Sequence, residues 1–111
     1  MNPDHKEFLT VLGHCFLQHG RFHDAGTVFE ALVVLFPDEI APKASLAYAR
    51  LRLGDYGAAL AQTDGLLRQP LPSRDRSFAL SLRARALWGL ARTDEARLVT
   101  DQLRALPVDP S

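Results

Sequence analysis

Five residues in the first half of this 111-residue chain recur at one fixed interval. Leu12 and Leu46, Gly20 and Gly54, Phe22 and Tyr56, Ala25 and Ala59, and Leu32 and Leu66 each stand 34 positions apart. Independent helices rarely share one interval at five places, so this period constrains the fold more than any composition does. Within one period the apolar residues follow helical spacing. Phe8, Leu9, Leu12, Cys15, Phe16 and Leu17 predict a helix over about 5–19, and Ala25, Val28, Phe29, Leu32 and Val33 predict a second over about 22–36. Gly20 ends the first and Pro37 stops the second. The unit is a helical hairpin, which cannot bury its apolar face alone and needs stacked neighbours.

The chain supplies them. Pro70 and Pro72, within QPLPSRD, predict a connection over 69–75, after which SFALSLRARALWGLARTDEARLVTDQLRALP reads as a third hairpin. Placing Ala91 at the turn position of Gly20 and Gly54 sets Ala96 in register with Ala25 and Ala59, and Leu103 with Leu32 and Leu66. The step to the third unit is then 37 residues, with about three extra in the loop; Gly89 is the rival turn. A helix–turn–helix unit of this period is the tetratricopeptide (TPR) pattern, in which small residues such as Gly13, Ala47, Ala25 and Ala59 mark close helix crossings. The expected fold is all-α: three tandem TPR-like repeats, about six helices, in a short curved solenoid. The expected boundaries are a flexible start at 1–4, with Asn2 or Asp4 as a helix cap, and one domain at 5–107. Within it the repeats are about 6–39, 40–73 and 77–107, and 108–111 form a flexible tail. With no polar helix after the third hairpin, Leu98, Leu103 and Leu106 are expected to leave the last helix incompletely covered, a face for a partner.

Composition narrows the function. Thirteen basic residues balance 13 acidic ones, which argues against nucleic acid as the main partner. A single cysteine, Cys15, cannot make an internal disulfide and suits a reducing compartment. No run of about 18 apolar residues exists to insert in a membrane, and MNPDHKEF lacks a secretory apolar segment, so the expected location is cytoplasmic. No residues suggest an enzyme, a metal or a cofactor. His19 and His23 have chelating spacing, but Gly20 breaks the helix between them. Cys15 and His14 are adjacent on one helix and point apart, so Cys15 is expected to be a small, mostly buried thiol. Gly54 and Gly57 flank a helical turn rather than a strand-to-helix phosphate loop.

In stacked hairpins of this kind the first helix of each repeat lines the inner face. The period's phase then nominates His14 and Leu17 in repeat one, Tyr48, Leu51 and Arg52 in repeat two, and Phe78, Arg85 and Trp88 in repeat three as a partner-binding groove. Aromatics and arginines are the residue types that anchor a bound segment, and the alanines, serine and glycine between them leave room. An amphipathic helix or an extended peptide fits such a lining. Two plainer readings stand beside this one: Tyr48 and Trp88 as packing between repeats, and Arg52 and Arg85 as solvated surface charge.

Glu7-Phe8-Leu9, then Leu12-Gly13, Gly20, Ala31-Leu32 and Pro37, together with the chain length and three-repeat layout, resemble the small type III secretion chaperones of the SctY (YscY) family. The resemblance implies a bacterial cytoplasmic chaperone, working at the inner-membrane base of the injectisome. It would hold a small secreted SctX-like protein as a heterodimer and engage the export gate SctV through that complex. Its action would be binding without chemistry, shielding apolar helical surface of the client; without the client it would tend to self-associate. The alternatives are a TPR chaperone of a needle subunit or translocator, or a homo-oligomeric TPR scaffold.

Overall fold

The computed structural model of the chain describes residues 3–106, all of whose regular structure is helical. Six helices follow in order: α1 Pro3–Gln18, α2 Phe22–Leu35, α3 Ile40–Arg52, α4 Tyr56–Leu67, α5 Ser73–Gly89 and α6 Thr93–Ala105. Each packs against the next, and α3 also touches α5, which is the connectivity of three stacked hairpins. The stack measures 43 × 31 × 23 Å.

The three hairpin turns are copies of one another. Gly20 N–H donates to Leu17 C=O and Arg21 N–H to Phe16 C=O. Gly54 and Asp55 repeat this on Leu51 and Arg50, and Ala91 and Arg92 on Trp88 and Leu87. This is the paired bonding that closes a helix through a left-handed residue. Gly20 and Gly54 take φ of +71° and +80°, and Ala91 takes +59°. The third turn therefore falls at Ala91, and Gly89 lies inside α5. Four residues after each turn residue's successor, Ala25, Ala59 and Ala96 are wholly buried and bond back to Arg21, Asp55 and Arg92.

The core divides in two, and α3 serves both parts. Leu46 and Ala49 of α3 join Ala25, Phe29 and Leu32 of repeat one. Ala47 and Leu51 join Leu82, Leu87, Ala96 and the rest of repeats two and three. Among the described residues Thr63 is the buried polar side chain, and its hydroxyl donates to Leu60 C=O at 2.9 Å.

Several expectations are corrected. The connection expected over 69–75 covers only 68–72, because Ser73, Arg74 and Asp75 form the first turn of α5. Most of the three extra residues thus lengthen α5 at its start, where Pro72 stands as the N-cap with φ −55° and ψ 152°. At the beginning of the chain, helix includes Pro3 and Asp4, within the segment expected to be flexible. Asn2, and the tail expected at 108–111, lie outside the described residues. Cys15 is exposed rather than buried. As an outer helix α1 packs chiefly against α2, and Cys15 falls with Phe8 and Val11 on its outward side. Finally, Leu103 and Leu106 pack against the core, so that α6 leaves only Leu98 of the expected three exposed, at 64%. The rest of its outward surface is polar, with Asp94, Glu95, Arg97, Asp101, Gln102 and Arg104 all exposed.

Candidate functional site

Near their C-terminal ends α3 and α5 approach the start of α4 and leave a hollow of about 510 Å³, lined by Leu51, Arg52, Tyr56, Arg85, Trp88 and Gly89. Four of the eight residues nominated from the sequence meet here: Leu51, Arg52, Arg85 and Trp88. Leu51 is a core residue, 5% exposed, so it forms the floor rather than a free contact. Trp88 is the opposite case, 51% exposed and unsupported by any ring stacking. Arg85 is exposed and, among the described residues, carries no hydrogen bond or ion pair.

Tyr48 and Arg52 are tied to the neighbouring repeat. The Arg52 guanidinium lies 4.6 Å from the Phe22 ring centroid and 5.8 Å from that of Tyr48, and Nη1 donates to the Tyr48 hydroxyl at 2.9 Å. Tyr48 sets its ring edge-on to Phe22, 6.4 Å between centroids, and packs half-buried against the core. Tyr48 therefore packs between repeats, and Arg52 is held in place by two rings. Tyr56 escaped the sequence reading of the site. Its ring covers Gly89 so closely that a Cβ there would lie 2.6 Å from ring carbons. The signal was present in the period, which puts Tyr56 in the same slot as Phe22.

The other nominated residues lie apart. His14 packs edge-on against Phe29, 5.3 Å between centroids, beside a separate hollow of about 140 Å³ shared with Lys6, Thr10 and Glu39. Leu17 is half-buried on the core of repeat one. Phe78 is exposed in the first half of α5 and does not line the Trp88 hollow. Four of the eight nominated residues thus line the hollow beside Trp88, and the other four lie outside it.

Beyond Trp88, on the α6 side, a second hollow of about 330 Å³ is lined by Trp88, Arg97, Thr100, Asp101 and Arg104. The indole stands between the two. At the start of α6, Arg92 and Glu95 form a two-armed ion pair, with Nη2 to Oε1 at 2.8 Å. The bond from Arg92 lowers the Glu95 carboxyl below its usual range and raises the guanidinium in turn. Among the described residues no group of three or more metal-ligating side chains assembles, and His19 Nδ1 lies 2.8 Å from Cys15 C=O. No helix among them is long and apolar enough to cross a membrane.

Residues 1–40, covering the first hairpin and its link to α3, match the tetratricopeptide repeat family. The fold is of TPR type. No curated protein matches the chain. TPR repeats are in general protein-interaction scaffolds, so this TPR-type chain is suited to protein binding.

Proposed function

We propose that this chain is a non-catalytic binding module that holds a segment of a partner protein against Trp88. One observation carries this reading. A lone tryptophan is left half-exposed between two hollows, at the end of a helix whose leucines Leu80, Leu82 and Leu87 are buried. Solvent-exposed tryptophan flanked by arginine is the composition of a binding hot spot. The floor of Leu51 and the wall of Tyr56 on Gly89 give the first hollow a fixed shape, so little ordering accompanies binding.

The finer reading is a chaperone of the type III secretion SctY kind, cytoplasmic and located at the inner-membrane base of the export apparatus. In it the client is a small SctX-like secreted protein held as a heterodimer and brought to the export gate SctV. The first-hairpin sequence from Glu7 to Pro37 and the three-repeat layout support it. A needle-subunit or translocator chaperone would use the same fold. A homo-oligomeric scaffold is favoured by a different feature: Phe8, 64% exposed, and Val11 and Cys15 form an apolar outer edge on α1 that a second copy could cover.

Co-purification of the tagged chain from its native cell, with mass spectrometry of what stays bound, tests these readings. One small secreted protein in near-equal amount, lost from the Trp88→Ala variant, is the expected result. A partner retained by Trp88→Ala overturns the assignment of the site. A homo-oligomer without partner, dispersed by Phe8→Ser, replaces the chaperone reading with the scaffold.

A further inference from the structure

We propose that the partner segment held at Trp88 is acidic, with carboxylates on both sides of an apolar anchor. This rests on the reading of the Trp88 face as a protein-binding site, and it specifies the chemistry of the occupant.

The charge around the indole is one-sided. Arg52 and Arg85 line the first hollow, which has no carboxylate, and Arg97 and Arg104 line the second, where Asp101 is the one acid. Among the described residues none of Arg85, Arg97 and Arg104 makes an ion pair or hydrogen bond, and Arg52 bonds and stacks there only with the neutral Tyr48 and Phe22. Five other cations do carry an acid: Lys6 on Glu39, Arg21 on Asp24, Arg50 on Glu30, Arg83 on Asp64 and Arg92 on Glu95. Lys43, Arg68, Arg74 and Arg76 also have no such partner among the described residues, but none of them lines either hollow beside Trp88. A chain with balanced charge thus places four guanidinium groups and a single carboxylate, Asp101, in the two hollows around its one tryptophan.

Guanidinium forks bond carboxylates through two parallel N–H donors, stronger than neutral pairs. Because three of the four have no partner among the described residues, no bond within that part of the protein must break when they meet one. The partly apolar first hollow takes an aliphatic or aromatic side chain on Leu51 and the indole face, and the arginines on either side then fall where flanking acids would lie. A polyphosphate is the poorer match. It would need a long basic track, and the zero net charge of the chain provides no field to attract one.

Since the chain has one tryptophan, its fluorescence reports on this site alone. The probes are three degenerate helical peptide pools with identical leucine anchors and flanks of Glu/Ala, Gln/Ala or Lys/Ala, and a single-stranded oligonucleotide. The Glu pool should shift Trp88 emission with an affinity about ten-fold above the Gln pool at low salt. That advantage should shrink between about 50 mM and about 500 mM NaCl. An Arg85→Gln, Arg97→Gln double variant, altered only at exposed side chains, should bind the Glu and Gln pools with about equal affinity. Equal binding of the Glu and Gln pools overturns the acidic occupant while leaving a peptide site standing. Tighter binding of the oligonucleotide overturns it in favour of nucleic acid. If no pool moves the emission, the peptide site and the acidic occupant fall together.

Discussion

Phe29 lies so close over Gly13 that a Cβ added to the glycine would stand 2.7 Å from its Cζ. The two belong to α1 and α2 of the first hairpin, and the ring is almost wholly buried, so the contact sets how near the helices come. Gly13→Ala should therefore overpack the crossing and destabilise the protein by about 1–3 kcal/mol. Gly26 is the control. It too is buried in a helix, but its added Cβ would meet Ala49 Cβ at an ordinary 4.0 Å. Gly26→Ala should be neutral or stabilising by up to about 1 kcal/mol, from helix propensity alone. Urea unfolding of the two variants gives the comparison, and equal effects would remove Gly13 as the packing determinant.

Ala91 holds a left-handed turn that glycine holds in the other two repeats, at φ +59° against +71° and +80°. A Cβ in this region costs about 1–2 kcal/mol, part of which glycine returns as extra freedom in the unfolded chain. Ala91→Gly should raise the melting temperature, and Gly20→Ala, with open space around its Cβ, should lower it through backbone strain alone. A lower melting temperature for Ala91→Gly would mean that its methyl group contributes packing that outweighs the strain.

The repeat itself was legible because it rests on residues with no alternative: glycine at a positive φ, and alanine where Ala25, Ala59 and Ala96 are fully enclosed. The start of α5 was not, since Ser73, Arg74 and Asp75 are polar and carry no apolar period, and two prolines precede them. On α1 the apolar positions 8, 9, 12, 15, 16 and 17 spread around most of the helix, so sequence could not say which side has a neighbour. That is why Cys15 was expected inside. At the site, helical phase found Arg85 and Trp88 but not Tyr56, which arrives from the following helix, nor the α6 arginines on the far side of the indole.

Glu95 gives a pH dependence. Its carboxyl is lowered by the bond from Arg92, so the folded protein binds the proton less readily than the unfolded chain does. The pair's contribution is then present above the ordinary glutamate range and is lost as the pH falls through the depressed value. Comparing wild type with Glu95→Gln from about pH 6 down to about pH 3 should show a stability gap that closes at the acid end. A gap that stays constant would assign the effect of the substitution to the helix end and not to the ion pair.

Leu51 and Trp88 line the same hollow but should fail differently when cut to alanine. Leu51 is part of the core shared by repeats two and three, so Leu51→Ala should cost about 2–4 kcal/mol of stability in thermal or urea unfolding. Trp88 is half in solvent, so Trp88→Ala should leave stability nearly intact and weaken partner binding by about 2 kcal/mol or more. Tyr48→Ala belongs with Leu51, because it removes the hydroxyl that Arg52 bonds and the ring that meets Phe22. Unfolding curves and a binding isotherm on all three variants separate the roles. If Trp88→Ala unfolds the protein as readily as Leu51→Ala does, the indole is core packing. The binding face would then have to be sought elsewhere on the stack, starting with Phe8 and Val11 on α1.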